Sequence, residues 1–281
     1  MPIQHEASVI SNSRAGAYHI ISLTAGEIPK SYKPGQFVTL SIDGLASSLI
    51  LRRSFSIYQA QDRGVYGGSI EIVVAAHGEG TKWITQLRRN DSVNIVGPLG
   101  KPFPIPKDPV SCILIGGGYG SAPLFRLAEA LKNKGCRVDF ILGAQTSEKL
   151  FGLLEARRLG HNVVITTADG SSGQTGSVTD PLPELIEKTS SQVIYSCGPM
   201  PMLSAITEIA KANRIYSFTA VEEAMACGIG VCMTCVLPVI GEDGVTRMLR
   251  SCVDGPIFNG EKVRWSDVGT VPPETFGFGN H

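Results

Sequence analysis

The sequence lacks any long uninterrupted hydrophobic run, and it lacks an excess of either charge. No stretch approaches the ~20 apolar residues that a membrane-spanning helix needs, so we expect no such helix. Its 25 lysines and arginines balance 25 aspartates and glutamates, which argues against a nucleic acid or an anionic membrane as partner. The residues after Met1, PIQHEASV, have neither the basic end nor the apolar run of a signal peptide. We therefore expect a cytoplasmic protein.

The seven cysteines are too unevenly placed to form a disulfide framework. Seven is an odd number, and Cys112, Cys136 and Cys197 stand singly in apolar surroundings. Such usage is typical of a reducing compartment and of a metal site. The other four share one stretch near the end of the sequence: Cys227, Cys232, Cys235 and Cys252.

The spacing of these four cysteines, C-x4-C-x2-C followed by a distant fourth, is the plant-type pattern for thiolates that hold a [2Fe–2S] cluster. Gly228 and Gly230 lie between the first two, where backbone without a Cβ can wrap closely around a cluster. The alternative is a structural zinc site, because four thiolates also suit zinc. Zinc ribbons usually pair two C-x2-C knuckles, however, and only Cys232 and Cys235 form one here. The pattern favours the cluster and predicts one-electron transfer.

The order of predicted elements indicates a multidomain β plus α/β protein. Short β-branched runs from about residue 7 to 96, with one helix near Thr81–Arg88, predict an antiparallel barrel or sandwich. After a proline-rich bridge at 101–109, strands alternate with helices, which predicts a doubly wound parallel sheet. The tail has too little apolar content to fold by hydrophobic burial alone, so a metal is expected to organise it. We expect boundaries that divide the chain into 1–103, 104–217 and 218–281.

Two motifs in the predicted barrel suit a flavin dinucleotide. An arginine followed by hydroxyls on a strand could pair with pyrophosphate oxygens and hydrogen-bond a flavin ring. The alternative is a half-buried strand with a surface arginine. A glycine-rich turn that opens the short helix could offer N–H groups to a phosphate, although its threonine could equally be a plain N-cap. The residues concerned are Arg53, Ser54, Phe55, Ser56, Gly80 and Thr81.

A glycine-rich turn between the first strand and first helix of the α/β part suits a dinucleotide. Pro123 stands where the last glycine of a G-x-G-x-x-G motif would be, and proline is tolerated in the first turn of a helix. Tight packing of the turn is the alternative. The glycines concerned are Gly116, Gly117, Gly118 and Gly120.

Two further strand ends carry candidate nucleotide contacts. Asp169 could hold a ribose 2′-hydroxyl and repel a 2′-phosphate, which favours NAD over NADP, although an Asp-Gly turn is the alternative. Cys197, Gly198 and Pro199 end the fourth strand and could face the nicotinamide. Cys197 is better explained as a small apolar wall than as a reactive thiol.

Taken together, these motifs resemble the ferredoxin–NADP reductase family, in which a flavin barrel carries R-x-[YF]-S and an α/β domain carries G-x-G-x-x-P and C-G-P. They stand here at Arg53–Ser56, Gly118–Pro123 and Cys197–Pro199. Phe55 occupies a position where many relatives have Tyr. With the EExMxCGxGxCxxC run and Cys252 added, the resemblance narrows to the electron-transfer subunits of NAD-dependent (class 1B) dihydroorotate dehydrogenases.

The resemblance implies three cofactors and a partner. FAD would bind in the barrel, with the strand end Val73, Val74 and Ala75 among its contacts; NAD would bind the α/β domain; and the four cysteines would hold [2Fe–2S]. A partner subunit carrying FMN would oxidise dihydroorotate for pyrimidine (UMP) synthesis, in a heterotetramer of two plus two subunits. No catalytic residue of this chain is assigned. The alternatives are an NAD(P)H-dependent ferredoxin or sulfide reductase subunit, and a zinc-stabilised dinucleotide-binding scaffold.

Overall fold

The computed structural model describes residues 1–42 and 49–277, and the first part of it closes into an antiparallel barrel, as predicted. Ile70, Ile72 and Val74 alternate along one strand and are fully buried inside the barrel, while Glu71 between them points outward. Strand order around the barrel is β1-β2-β5-β4-β3-β6. The strands are β1 (Ile3–Ala15), β2 (Tyr18–Thr24), β3 (Phe37–Leu40), β4 (Arg53–Asp62), β5 (Gly68–Val74) and β6 (Ser92–Leu99).

Two short helices belong to the barrel part, α1 (Ile28–Ser31) and α2 (Glu79–Thr85). The predicted helix at Thr81–Arg88 therefore begins and ends earlier than expected. Its N-cap is Gly78, and the Thr81 hydroxyl accepts the Gly78 N–H at 3.1 Å. The interpretation of Thr81 as the N-cap itself is wrong, because this residue lies inside the first turn and closes a capping box.

A doubly wound parallel sheet follows the barrel and confirms the predicted class. The strands are β7 (Ser111–Gly117), β8 (Arg137–Ala144), β9 (Val163–Thr167), β10 (Gln174–Thr175), β11 (Val193–Cys197) and β12 (Tyr216–Ala220). Their order in the sheet is β10-β9-β8-β7-β11-β12. The chain builds one side of the sheet from β7 outward and then returns to β11 on the other side, so the order reverses between β7 and β11. The helices are α3 (Ala122–Asn133), α4 (Leu153–Leu159), α5 (Leu182–Thr189) and α6 (Met200–Ala212).

The cysteine-rich tail is joined to this sheet. Its strands are a hairpin, β13 (Val236–Ile240) and β14 (Thr246–Arg250), and then β15 (Ile257–Asn259), which pairs antiparallel with β12. Leu237, Val239 and Phe258 of the tail pack with Leu203 of α6 in one hydrophobic cluster. The tail therefore has hydrophobic contacts with the sheet domain in addition to the metal site that its cysteines predict. The proposed boundary between residues 217 and 218 falls inside β12.

The barrel and the sheet are packed against each other through aromatic side chains. Tyr58 of β4 lies edge-on to Phe125 and Phe151, and its hydroxyl donates to Glu155 at 3.0 Å. Tyr18 of β2 donates its hydroxyl to the Lys149 carbonyl at 2.8 Å. These contacts fix the position of the barrel relative to the parallel sheet. No helix in the described part of the chain is long and apolar enough to cross a membrane.

Candidate functional site

A cleft of about 580 Å³ lies between the barrel and the turn that follows β7, and we call it the barrel cleft. All four residues of the R-x-F-S motif line it. The Arg53 guanidinium donates to the Leu51 carbonyl at 2.7 Å and lies against the first turn of α2. Glycine is required there, because a Cβ at Gly80 would stand 2.9 Å from Arg53 Nε. Gly80 thus supports the arginine rather than lining the cleft itself.

Ser54 supplies the clearest sign that the barrel cleft accepts a polar ligand. Its Oγ is buried and has no hydrogen-bond partner in the protein. A buried hydroxyl left unpaired costs about 1–3 kcal/mol, which a polar atom of a bound molecule would offset. A cationic guanidinium beside an unpaired hydroxyl fits the diphosphate and polar ring atoms of FAD.

The three residues predicted at the end of β5 point in different directions. Val73 lines the barrel cleft, whereas Ala75 lines a second cleft on the other side of the β7 turn. The Val74 side chain is fully buried in the barrel core, so only its main chain is available to a ligand. The Thr81 hydroxyl is occupied by the main chain of His77 and Gly78.

The second cleft, of about 640 Å³, lies at the carboxyl ends of the parallel strands, and we call it the sheet cleft. Ligands of open α/β sheets bind at this edge, where the strand order reverses. Gly117, Gly118 and Pro199 line it, as does Thr166, whose Oγ1 is buried without a partner. Lys149, which sequence reasoning missed, adds a cationic head held by Gln145 at 2.6 Å. These residues fit a nucleotide.

The remaining glycine-turn residues do not all face the sheet cleft. Gly120, Pro123 and Cys197 line the barrel cleft and not the sheet cleft. Gly116 lies against Ser121, where a Cβ would stand 2.4 Å from the serine Cβ. Gly198 adopts a φ of +154° and packs on Gly117. Tight packing therefore explains part of this motif.

Asp169 forms an Asp-Gly turn, which is the alternative role that its sequence context predicts. Its Oδ1 accepts hydrogen bonds from the Ser171 N–H at 3.0 Å and from the Ser171 hydroxyl at 2.6 Å. These bonds lower the pKa of the Asp169 carboxyl, so it stays ionised. Its neighbour Ala168 lines the sheet cleft, whereas Asp169 itself is exposed and does not line it.

Tyr119 and Glu222 line both clefts and mark where the two meet. Sequence reasoning gave neither residue a role, although Glu222 begins the EExMxC run. The Glu222 side chain remains open to the clefts, but surrounding protein raises the pKa of its carboxyl by desolvation. Burial, and then the charge of Glu222, raise the pKa of the Cys197 thiol well above its usual value. Cys197 is therefore a neutral wall and not a nucleophile.

Three of the four cysteines of the tail lie in one loop, residues 227–235, that we call the cluster loop, and the fourth, Cys252, packs with Cys235. The main-chain N–H groups of Val231 and Cys232 each donate to the Cys227 sulfur at 3.4 Å. Cys235 and Cys252 are buried together beside Phe37 and Leu99 of the barrel. The loop turns through left-handed backbone at Gly228 and Gly230, with φ of +70° and +86°.

The thiols form two neighbouring pairs, Cys227 with Cys232 and Cys235 with Cys252. The surroundings shift the thiol pKa in opposite directions in the two pairs. Hydrogen bonds from Thr234, and then from Cys227, lower the pKa of Cys232 to about 6. Burial, and then contact with Cys235, raise the pKa of Cys252 to about 12. Two pairs of thiolates suit a cluster with two irons. In residues 1–42 and 49–277, no three His, Cys, Asp or Glu side chains surround one point as ligands of a single ion.

Comparisons with known proteins agree with this arrangement. The family described as "Iron-sulfur cluster binding domain of dihydroorotate dehydrogenase B" matches residues 222–264. The family described as "Oxidoreductase NAD-binding domain" matches residues 114–208. The two matched segments contain the cluster loop and the glycine-rich turn after β7.

Similar proteins cover most of the chain. The "Dihydroorotate dehydrogenase B (NAD(+)), electron transfer subunit" of Geobacillus thermodenitrificans is 36% identical over 245 residues, covering 86% of this chain and 91% of that protein. The protein of the same name from Listeria welshimeri is 34% identical and covers 93% and 99%. The one from Bacillus caldolyticus is 35% identical with the same coverage.

Solved structures agree on the fold. An NADH-dependent reduced ferredoxin–NADP oxidoreductase, described in connection with flavin-based electron bifurcation, is 26% identical, with a TM-score of 0.80 over 94% of this chain and 91% of its own. A ferredoxin NADP+ reductase from Neisseria gonorrhoeae with bound FAD and NADP is 16% identical, with a TM-score of 0.60 over 76% and 95%. At that identity the second likeness concerns the fold alone.

Proposed function

Because this chain belongs to the family of electron transfer subunits of NAD(+)-dependent dihydroorotate dehydrogenase B, we propose that it carries electrons from a catalytic partner subunit, through a [2Fe–2S] cluster and FAD, to NAD+. It is an oxidoreductase subunit that serves pyrimidine (UMP) biosynthesis. The observation that carries the proposal is the arrangement of three sites in series. The cluster loop packs on the barrel strands that line the barrel cleft, and the barrel cleft meets the sheet cleft at Tyr119 and Glu222.

FAD is proposed to occupy the barrel cleft. Arg53 binds its diphosphate, the Ser54 hydroxyl gains the partner that it otherwise lacks, and Phe55 and Ser56 line the remaining wall. Main-chain groups at Val73–Ala75 and the close approach of Gly80 to the arginine complete the site, and Thr81 caps the helix that carries Gly80. When bound, FAD exchanges single electrons with a cluster and delivers a hydride to a nicotinamide.

NAD is proposed to enter the sheet cleft. Gly117, Gly118 and Pro199 line this cleft and let the dinucleotide approach the main chain closely. Asp169, which stays ionised and follows the lining residue Ala168, is proposed to discriminate against a 2′-phosphate. The nicotinamide would reach the junction of the clefts, where Gly120, Pro123 and Cys197 form the wall on the flavin side. Tyr119 separates the two clefts, so we expect its ring to move when the nicotinamide docks.

Cys227, Cys232, Cys235 and Cys252 are proposed to hold the [2Fe–2S] cluster, two thiolates to each iron. Their N–H donors at Val231 and Cys232 stabilise charge on the sulfur of Cys227. We propose the division of labour expected from the sequence, a flavin unit at 1–103, a nicotinamide unit at 104–217 and a cluster unit at 218–281, with the last boundary lying within β12. Strand pairing of β12 with β15 ties the last two units together.

The partner is proposed to be an FMN-containing catalytic subunit that binds dihydroorotate, in a heterotetramer of two plus two. We propose that the exposed part of the cluster loop, which includes Ile229, Val231 and Met233, faces this partner. Seven free cysteines suit a reducing cytoplasm.

Co-purification with a candidate FMN subunit, followed by an assay of NAD+ reduction that depends on dihydroorotate, tests the whole proposal. We expect activity with both subunits and none with either alone. Anaerobic reconstitution tests the cluster separately, with Cys232→Ser expected to lose its visible absorbance and Cys136→Ala expected to keep it. A wild-type chain that takes up zinc but no iron and no flavin would contradict the proposal and support a scaffold instead.

A second candidate function rests on the solved NADH-dependent reduced ferredoxin–NADP oxidoreductase, whose fold covers nearly the whole of this chain. The same three sites would then pass electrons between NAD(P)H and a ferredoxin. Assaying NADH oxidation with ferredoxin as acceptor, with and without the FMN subunit, separates the two. Rapid ferredoxin reduction without that subunit, together with no response to dihydroorotate, would favour the second function.

A further inference from the structure

The peptide unit that joins Gly230 to Val231 is held from both sides. Its N–H, from Val231, donates to the Cys227 sulfur at 3.4 Å. Its carbonyl, from Gly230, accepts a hydrogen bond from Arg250 Nη1 at 2.9 Å. The N–H and C=O of a trans peptide point in opposite directions, so a contact that fixes the carbonyl also aims the N–H.

Arg250 is itself anchored and cannot easily turn away. It is the last residue of β14, and Asp254 Oδ2 accepts hydrogen bonds from its main-chain N–H at 3.0 Å and from its Nε at 3.3 Å. The planar guanidinium therefore has one edge on Asp254 and one nitrogen on Gly230. Lysine, with a single point charge, does not reproduce this fork.

The conformation of Gly230 is required for the same contact. Its φ of +86° is one that side-chain-bearing residues rarely adopt, and a Cβ there would stand 2.5 Å from Val253 Cγ2. Val253 follows Cys252, so the glycine is pressed against the fourth cysteine's segment. The backbone of the loop is thus set from two directions, by packing at Val253 and by the arginine at the carbonyl.

We propose that Arg250 is a positioning residue that sets the reduction potential of the cluster, by aiming the Val231 N–H at the Cys227 sulfur. The inference rests on the proposed function, since it takes the four cysteines as the ligands of a [2Fe–2S] cluster. Hydrogen bonds to the sulfurs, net charge and solvent exposure set the potentials of such clusters. Reduction adds one negative charge, which an N–H dipole and a nearby guanidinium both stabilise. Loss of Arg250 therefore lowers the potential.

The test is a redox titration of the reconstituted chain, followed by the electron paramagnetic resonance of the reduced cluster. At the wild-type midpoint, reduced and oxidised clusters are equal in number. In Arg250→Met we expect the reduced-to-oxidised ratio at that same potential to fall about tenfold, which for a one-electron couple is about 59 mV. Arg250→Lys keeps the charge but loses the fork, and we expect a smaller fall in the same direction.

Arg247→Met is the matched control. Arg247 lies on the same strand and forms an ion pair with Asp243 at 2.7 Å, away from the cluster loop. We expect the midpoint potential of Arg247→Met to match that of the wild type. Such a result would show that the shift in Arg250→Met comes from the contact with the cluster loop and not from the loss of any arginine on β14.

The outcomes are distinct. An unchanged midpoint in Arg250→Met, or in Arg250→Lys should the first variant not fold, would overturn the inference alone. A lower midpoint potential in Arg250→Met together with a wild-type midpoint in Arg250→Lys would show that only the charge of Arg250 acts. The proposal that Arg250 positions the Val231 N–H would then be wrong. A wild-type chain without a cluster after reconstitution would overturn the inference and the proposed function together.

Discussion

Gly228 of the cluster loop lies against Ser54 of the barrel: a Cβ built on Gly228 would stand 3.7 Å from the Ser54 Oγ. The same Cβ would stand 2.5 Å from Thr39 Cγ2 on the neighbouring strand. Gly228 directly follows the first cysteine, and Ser54 lines the barrel cleft with an unpaired hydroxyl. The cluster loop and the proposed flavin site are therefore separated by no other layer of protein.

Substituting Gly228 should damage this contact. Gly228→Ala places a Cβ into Thr39 at a left-handed φ of +70°, so we expect strain of about 1–3 kcal/mol and a thermal midpoint that falls by several degrees. Gly244→Ala is the matched control, because Gly244 has a similar φ of +77° with open space around its Cβ position. Thermal unfolding of the two apo variants is the measurement. Equal losses in both would show that the close approach to Thr39 does not matter.

Removing the guanidinium at the barrel cleft should weaken flavin binding. In Arg53→Ala we expect the Kd for FAD to rise by roughly 10- to 150-fold, since a hydrogen bond to a charged group is worth about 1.5–3 kcal/mol. Equilibrium dialysis or quenching of flavin fluorescence measures it. Arg63→Ala, an exposed arginine just beyond β4 that contacts Gln61, serves as the control and should bind FAD as the wild type does. A wild-type Kd in Arg53→Ala would contradict the assignment of the diphosphate to this residue.

The charge of Asp169, next to the sheet-cleft residue Ala168, should decide between the two nicotinamide cofactors. In Asp169→Asn we expect the preference for NADH over NADPH, measured as the ratio of kcat/KM values for flavin reduction, to fall about tenfold, which is ~1.4 kcal/mol. Asparagine can still close the turn with Ser171, so the loop should keep its shape. Asp243→Asn, far from the cleft in the β13–β14 turn, is the control. An unaltered ratio would leave Asp169 with the turn as its only role.

Glu222 should make stability depend on pH. Burial raises the pKa of its carboxyl from the ordinary value of 4.5, so the folded state disfavours the ionised form. The free-energy cost of the ionised Glu222 carboxylate in the folded state is present in full above the raised pKa of the folded chain. It disappears below the ordinary pKa of the unfolded chain, where the carboxyl is protonated in both states. We therefore expect Glu222→Gln to raise the thermal midpoint of the apo protein near pH 8, and the gain to vanish near pH 4.

The size of that gain is limited, because the side chain is open to both clefts. It should stay below the ~2–4 °C that 1 kcal/mol produces in a domain of 150–250 residues. Glu242→Gln, with a side chain that is 96% exposed in the wild type, is the control and should show no pH-dependent gain. A gain that persists undiminished at pH 4 would show that Glu222 acts through packing and not through its charge.

The sequence by itself determined the classes of element and the chemistry of the cluster. Apolar residues alternate with others at Ile70, Ile72 and Val74, which predicts a barrel strand because burial of one face imposes a period of two on the chain. The alternation of strands with helices in the later part of the chain predicts the parallel sheet. The spacing of Cys227, Cys232 and Cys235 predicts a thiolate site within a single loop. Such features are local, so a single sequence carries them.

Only the tertiary structure decided which distant residues share a site. Ser54 meets Gly228, and Tyr119 meets Glu222, through packing between units that lie far apart in the chain. No period or spacing encodes these contacts, because they depend on how the barrel and the sheet dock through Tyr18 and their other aromatic side chains. The hold of Arg250 on the Gly230 carbonyl was hidden for the same reason: a main-chain contact leaves no motif in the sequence.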